Sequence, residues 1–128
     1  MKKLFLLLLL PLVLATQCED DINTGFETTY LIENTSSTDL LYLTPQNSFV
    51  EIPVGTEISV ASDLNSETNP IPPSDSFIFS EIKLYSNDNE SFILVYSQEP
   101  IDNASWEFTE PTVNNFEYRL IITDDVLN

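Results

Sequence analysis

Histidine is absent from this 128-residue chain, and cysteine, tryptophan and methionine occur once each. Without histidine neither a Ser-His-Asp triad nor a Cys-His pair can be assembled, and the common zinc sites lose their nitrogen ligand. The chain has two glycines, Gly25 and Gly55, too few for the glycine-rich loops that cradle nucleotide phosphates. Positive charge is almost as scarce: 4 Lys and Arg stand against 21 Asp and Glu, for a formal net charge of −17. A surface of that sign repels phosphate backbones and anionic headgroups, which excludes nucleic acid as a partner and charge-driven attachment to a membrane. Among so many acids some carboxylate pair falls at a glycosidase-like spacing by chance, so the count gives no reason to expect an enzyme.

What is present is a folding sequence. Apolar residues make up 42% of the chain, with 8 Phe and 5 Tyr, and hydrophobicity at this level opposes disorder despite the charge.

The N-terminus points to export. Met1-Lys2-Lys3 is a short basic region and Leu4 to Ala15 an apolar run interrupted by Pro11, the layout of a secretory signal. The run falls short of the roughly 20 apolar residues a spanning helix needs. Cys18, the sole cysteine, follows directly. Exported proteins rarely keep a lone exposed thiol, so a lipid-carrying cysteine explains the position better.

The stretch Leu14-Ala15-Thr16-Gln17-Cys18 resembles a bacterial lipobox, with Cys18 as the lipid-attachment residue. Glu19, Asp20 and Asp21 resemble the acidic surface-export signal of Bacteroidota lipoproteins. Together with the Asn- and Ile-rich body, these residues make the chain similar to the small β-sandwich lipoproteins of that phylum. The resemblance implies an outer-membrane, cell-surface location and brings no activity with it. It divides the chain into a signal peptide at 1–17, a lipid-anchored tether at 18–27 and a β-sandwich domain at 28–128. Loss of Lys2 and Lys3 with the signal would leave 21 acids against Lys83 and Arg119, close to −19. Multiple acyl chains, at about 0.8 kcal/mol per buried methylene, make such an anchor effectively permanent.

Beyond Thr28 short apolar runs alternate with Asn, Asp, Ser and Pro, and no helical period is sustained. The pattern predicts an all-β domain with strands at Thr28–Asn34, Leu40–Thr44, Ser48–Ile52, Glu57–Ala61, Phe77–Tyr85, Ser91–Ser97 and Asn115–Thr123, and a short one at Trp106–Thr109. In the last long strand Phe116, Tyr118, Leu120 and Ile122 share one face and Glu117, Arg119 and Thr123 the other. Ser86-Asn87-Asp88-Asn89-Glu90 supplies residues that tolerate left-handed backbone, which predicts a hairpin between the flanking strands. About seven or eight strands at this spacing predict an antiparallel, immunoglobulin-like β-sandwich, with a barrel as the alternative. Ser62 to Ser76, with prolines at 70, 72 and 73, is expected to be irregular and extended.

No metal or cofactor is expected. Asp63-Leu64-Asn65-Ser66-Glu67-Thr68-Asn69 spaces oxygen donors as a calcium loop does, yet Thr68 stands at the turn glycine and Ser74 at the bidentate glutamate. Trp106 and Tyr42 are candidate ligand contacts for a glycan or partner, set against the commoner role of such rings in a core. Lys83 and Arg119 would make an anion site only on neighbouring strands; pairing with carboxylates is the simpler outcome. With a lipid-type cysteine upstream, the sequons at Asn34, Asn89 and Asn103 are read as chance matches in an Asn- and Ser-rich chain. The expectation is a non-enzymatic interaction module held at the membrane by its lipid, with an unknown protein or glycan partner met through the Pro-rich stretch and neighbouring loops. The alternative is a calcium- or glycan-binding lipoprotein.

Overall fold

The computed structural model describes residues 26–65 and 68–128. The expected signal peptide at 1–17, the expected lipid-attachment residue Cys18, and Glu19, Asp20 and Asp21 lie outside the described residues. Eight strands form: β1 (Phe26–Asn34), β2 (Leu40–Leu43), β3 (Phe49–Ile52), β4 (Glu57–Asn65), β5 (Ile82–Asp88), β6 (Ser91–Gln98), β7 (Trp106–Thr112) and β8 (Asn115–Ile122). They make two four-stranded sheets, ordered β4-β1-β8-β7 (sheet A) and β3-β2-β5-β6 (sheet B). The domain is a β-sandwich of two four-stranded layers. All pairings are antiparallel except β1 with β8, which run parallel from Glu27↔Asn115 to Asn34↔Ile122. Parallel neighbours need a long connection, and the whole sandwich lies between these two strands.

Alternation decides which side chains go inward. Tyr30 and Ile32 of β1 and Leu120 and Ile122 of β8 meet Leu40 and Tyr42 of β2, Ile52 of β3, and Ile82 and Leu84 of β5 in one core. Tyr30 sits at its centre, edge-on to Phe79 at 5.1 Å and Trp106 at 6.3 Å and stacked on Tyr118 at 6.1 Å.

Turn chemistry sets the register. Asn89 and Glu90, at φ 47° and 70°, form the two-residue loop of the β5–β6 hairpin, closed by Asp88↔Ser91. Paired positive φ angles match the right-handed strand twist. Between β3 and β4, Gly55 at φ 76° occupies the third position of a turn closed by Thr56 N–H to Pro53 O at 3.1 Å, where a side chain would be strained.

Several strand boundaries differ from the sequence pattern: β5 runs on to Asp88 and β7 to Thr112, three residues beyond the expected ends, and β2, β3, β6 and β8 each shift by one residue at one end. β1 begins at Phe26, which is buried. β4 continues past Ala61 to Asn65, and β5 begins only at Ile82. Phe77–Glu81 is not strand because the chain there leaves one layer for the other. Phe79 drops into the aromatic cluster, 6.0 Å from Trp106, while Phe77 remains exposed.

The Pro-rich stretch packs against the core through Pro73, while Pro70, Ile71 and Pro72 are half-buried. Tyr30 Oη lies 2.9 Å from Ile71 O, Ile71 N–H donates to Thr28 Oγ1 at 3.2 Å, and Pro73 is buried. The buried Asn34 organises the next loop. Its Nδ2 donates to Thr38 O at 2.8 Å and Ile52 O at 2.9 Å, and its Oδ1 accepts from Ser36 N–H and Oγ–H. An amide with both donors and its acceptor engaged has nothing left for a glycan, so the Asn34 sequon is structural.

Candidate functional site

The two rings singled out as candidate ligand contacts are core residues. Trp106 is 6% exposed and Tyr42 2%. Trp106 Nε1 donates to Gln98 Oε1 at 3.2 Å, and its ring packs on Phe79 and Tyr30. Neither residue offers a face on which a sugar could stack, because each projects from the inward side of its strand. The Tyr42 hydroxyl finds no hydrogen-bond partner among the described residues, and burial pushes its pKa up.

The two body cations lie on different sheets. Lys83 Nζ is 2.7 Å from Glu81 and 3.6 Å from Glu99, and the Glu81 carboxylate raises the pKa of the ammonium. Arg119 sits among Glu33, Glu57 and Glu117 at 3.7, 3.2 and 3.4 Å. Both are surrounded by carboxylates, so they make no anion pocket.

Asp63, first donor of the calcium-like stretch, turns inward and lies 3.0 Å from Tyr30 Oη. The oxygen-rich 87–90 segment is the hairpin itself, with Asn89 Nδ2 donating to Asp88 Oδ1 at 2.9 Å. Among the described residues no three acidic or sulfur ligands converge.

The surface that stands out is the outer face of sheet B. The register Leu43↔Phe49, Leu41↔Tyr85 and Tyr85↔Leu94 places these five side chains on the side opposite Leu40, Tyr42 and Leu84, and Phe92 joins them opposite Asn87. Phe49 and Phe92, 40% and 54% exposed, belong to opposite edge strands. Sheet twist draws such corners together along one diagonal, and their rings lie 4.8 Å apart, with Tyr85 edge-on to Phe49 at 5.4 Å. The result is an aromatic ridge over the two central strands.

Beside the ridge runs an open groove of about 580 Å³, lined by Ser37, Thr38, Asp39, Leu40, Leu41, Glu51, Asn87 and Phe92. Its apolar lining is Leu40, Leu41 and Phe92; Asp39 and Glu51 make it acidic. A contiguous apolar surface with a polar rim is the usual mark of a protein-docking face. The groove is too open, and its lining too polar, for the enclosed and mostly apolar pocket that small molecules favour.

One signal for this face was present in the sequence. Phe92-Ile93-Leu94-Val95-Tyr96 is apolar at every position, whereas a strand with one wet face should alternate. The contributions of Leu41, Phe49 and Tyr85 depend on strand order, which periodicity does not encode.

No family model matches the chain, and neither a curated protein nor a solved structure matches it. The functional reading therefore rests on the chemistry of the surface.

Proposed function

We propose that this protein is an envelope lipoprotein, anchored through Cys18 on the cell surface, whose acidic sandwich is a non-enzymatic interaction module and an accessory to a larger surface complex. The observation that carries the module is the apolar outer face of sheet B, where Phe49, Tyr85, Phe92 and Leu94 are held outward by strand register. Half-exposed aromatics clustered on a rigid sheet are the residue types that dominate binding energy at interfaces. The anchor rests on the sequence, through the lipobox-like segment and the three acids after Cys18.

Two arms test this reading on the full chain in a Bacteroidota host. Wild type should incorporate labelled fatty acid and be shaved from intact cells by protease, whereas Cys18→Ala should be unlabelled and released; no label in either form would overturn the anchor. After mild solubilisation, wild type and Val113→Glu, altered at an exposed loop residue outside the face, should retain one stoichiometric partner that Phe92→Glu loses. Equal retention by both variants would overturn sheet B as the contact face.

A further inference from the structure

The four edge strands of the sandwich are not protected alike. An edge strand presents unpaired N–H and C=O groups, and proteins blunt it with charge, proline, bulges or short length. β7 carries Glu107, Glu110 and Pro111. β4 carries Glu57 and Asp63 and is bulged opposite Tyr30/Leu31. β3 has four residues, among them Glu51, and Pro53 follows it. β6, Ser91-Phe92-Ile93-Leu94-Val95-Tyr96-Ser97-Gln98, contains neither a charge nor a proline.

The two halves of β6 also differ. Around Val95 the register shifts, and the backbone N–H of Asn128 donates to Val95 O at 2.9 Å, so the C-terminal half is bulged and capped. Along Ser91–Leu94, among the described residues, only β5 lies beside the strand, and Phe92, Ile93 and Leu94 are exposed. This open half adjoins the aromatic ridge and the groove, since Phe92 contributes to all three.

We infer that the Ser91–Leu94 edge of β6 is a strand-addition site, which takes an extended partner segment of alternating apolar and cationic residues. This deepens the interaction-module reading and rests on it. Added strands gain affinity through main-chain hydrogen bonds and specificity through alternate side chains. Here the apolar side chains of the incoming strand would lie beside Phe92 and Leu94, on the ridge side. The preference for a cationic segment follows from charge complementarity: Asp39 and Glu51 line the groove, Asp88 and Glu90 sit at the β5–β6 turn, and the chain carries −17. That same charge opposes pairing of β6 with a second copy of itself.

The probe is a synthetic peptide of alternating lysine and valine, titrated into the domain at physiological salt while backbone amide resonances are followed. Two comparison peptides accompany it: one with glutamate in place of lysine, and one with the lysines kept but alternate backbone nitrogens methylated. The lysine peptide should slow hydrogen exchange and shift resonances at Ser91–Leu94. The methylated peptide, equal in charge, should bind about tenfold or more weakly because its main-chain donors are gone. Equal binding by both lysine peptides, with shifts at Leu41, Phe49 and Tyr85, would overturn strand addition and leave the docking face standing. Equal binding by the glutamate peptide, a dimer pairing through β6, or no response on sheet B would each overturn the proposal. The docking face would then be decided by the Phe92→Glu and Val113→Glu comparison. Ile93→Lys, which places a gatekeeping charge on the edge, should abolish the exchange protection without altering the rest of the spectrum.

Discussion

The Phe49 ring, from one edge strand of sheet B, lies 4.8 Å from the Phe92 ring of the opposite edge strand. The contact crosses the whole sheet on its outer side and partly covers Leu41 and Tyr85. Aromatic pairs contribute about 0.5–1.5 kcal/mol beyond the area they bury. A double-mutant cycle between Phe49→Ala and Phe92→Ala should give a coupling of that size in urea unfolding, far below the about 3–5 kcal/mol of a core Phe→Ala. A coupling indistinguishable from zero would show that the ridge does not persist in solution.

Two tyrosine hydroxyls should respond in opposite ways to removal. Tyr30 Oη lies within 3.0 Å of Asp63 Oδ2 and Ile71 O; its single proton serves one acceptor at a time, and Tyr30→Phe removes that donor from the buried Asp63 carboxylate and the Ile71 carbonyl, at a cost of about 1–3 kcal/mol. Tyr42 Oη is buried without a partner among the described residues, so Tyr42→Phe should fall within about 1 kcal/mol of wild type, on the stabilising side. Equal losses in urea midpoints would contradict this division.

Asn34 holds Thr38 O, Ile52 O and Ser36 at once. Asn34→Ala should cost about 2–4 kcal/mol by orphaning several buried groups. Asn34→Asp keeps the volume but turns a carboxylate oxygen on two carbonyls, and it should be at least as damaging at neutral pH. A nearly neutral Asp variant would mean that shape, and not hydrogen bonding, fixes the loop.

Stability should fall at both ends of the pH scale, for separate reasons. Asp124 accepts from Ser37 N–H at 2.8 Å and Ser37 Oγ–H at 2.9 Å, which holds its pKa below the ordinary 3.8. A depressed acid contributes stability that is complete above 3.8 and lost as pH drops through the native value. Burial instead raises the pKa of Tyr30, Tyr42, Tyr96 and Tyr118 above the ordinary 10.0. Their contribution is complete below 10.0 and disappears as pH climbs through the raised values. Chemical denaturation across pH should show both limbs, with Asp124→Asn flattening the acid one and tyrosinate absorbance lagging until unfolding on the alkaline one.

The sandwich was largely legible from short-range pattern. The alternation of Phe116, Tyr118, Leu120 and Ile122 put β8 in the core, and Asn89-Glu90 marked the hairpin turn. Where side chains leave the period of two, legibility failed: Phe79 reaches across to Trp106 and Tyr30, so Phe77–Glu81 reads as strand and is not. The candidate site was hidden for a related reason. Trp106 and Tyr42 attract notice by residue type but face inward, whereas Phe49, Tyr85 and Phe92 form one surface only after β3, β2, β5 and β6 take their order. That order arises from contacts between residues distant in sequence, which no local window contains.

Site-specific photocrosslinking in living cells tests the central claim most directly. A benzophenone amino acid replaces Phe49, Phe92 or, as the control, Val113, which is 81% exposed and lies outside the face. Positions 49 and 92 are predicted to give adducts with the same partner, and position 113 none. Adducts from 113 alone, or the same adducts from all three positions, would contradict the assignment of sheet B as the interaction surface.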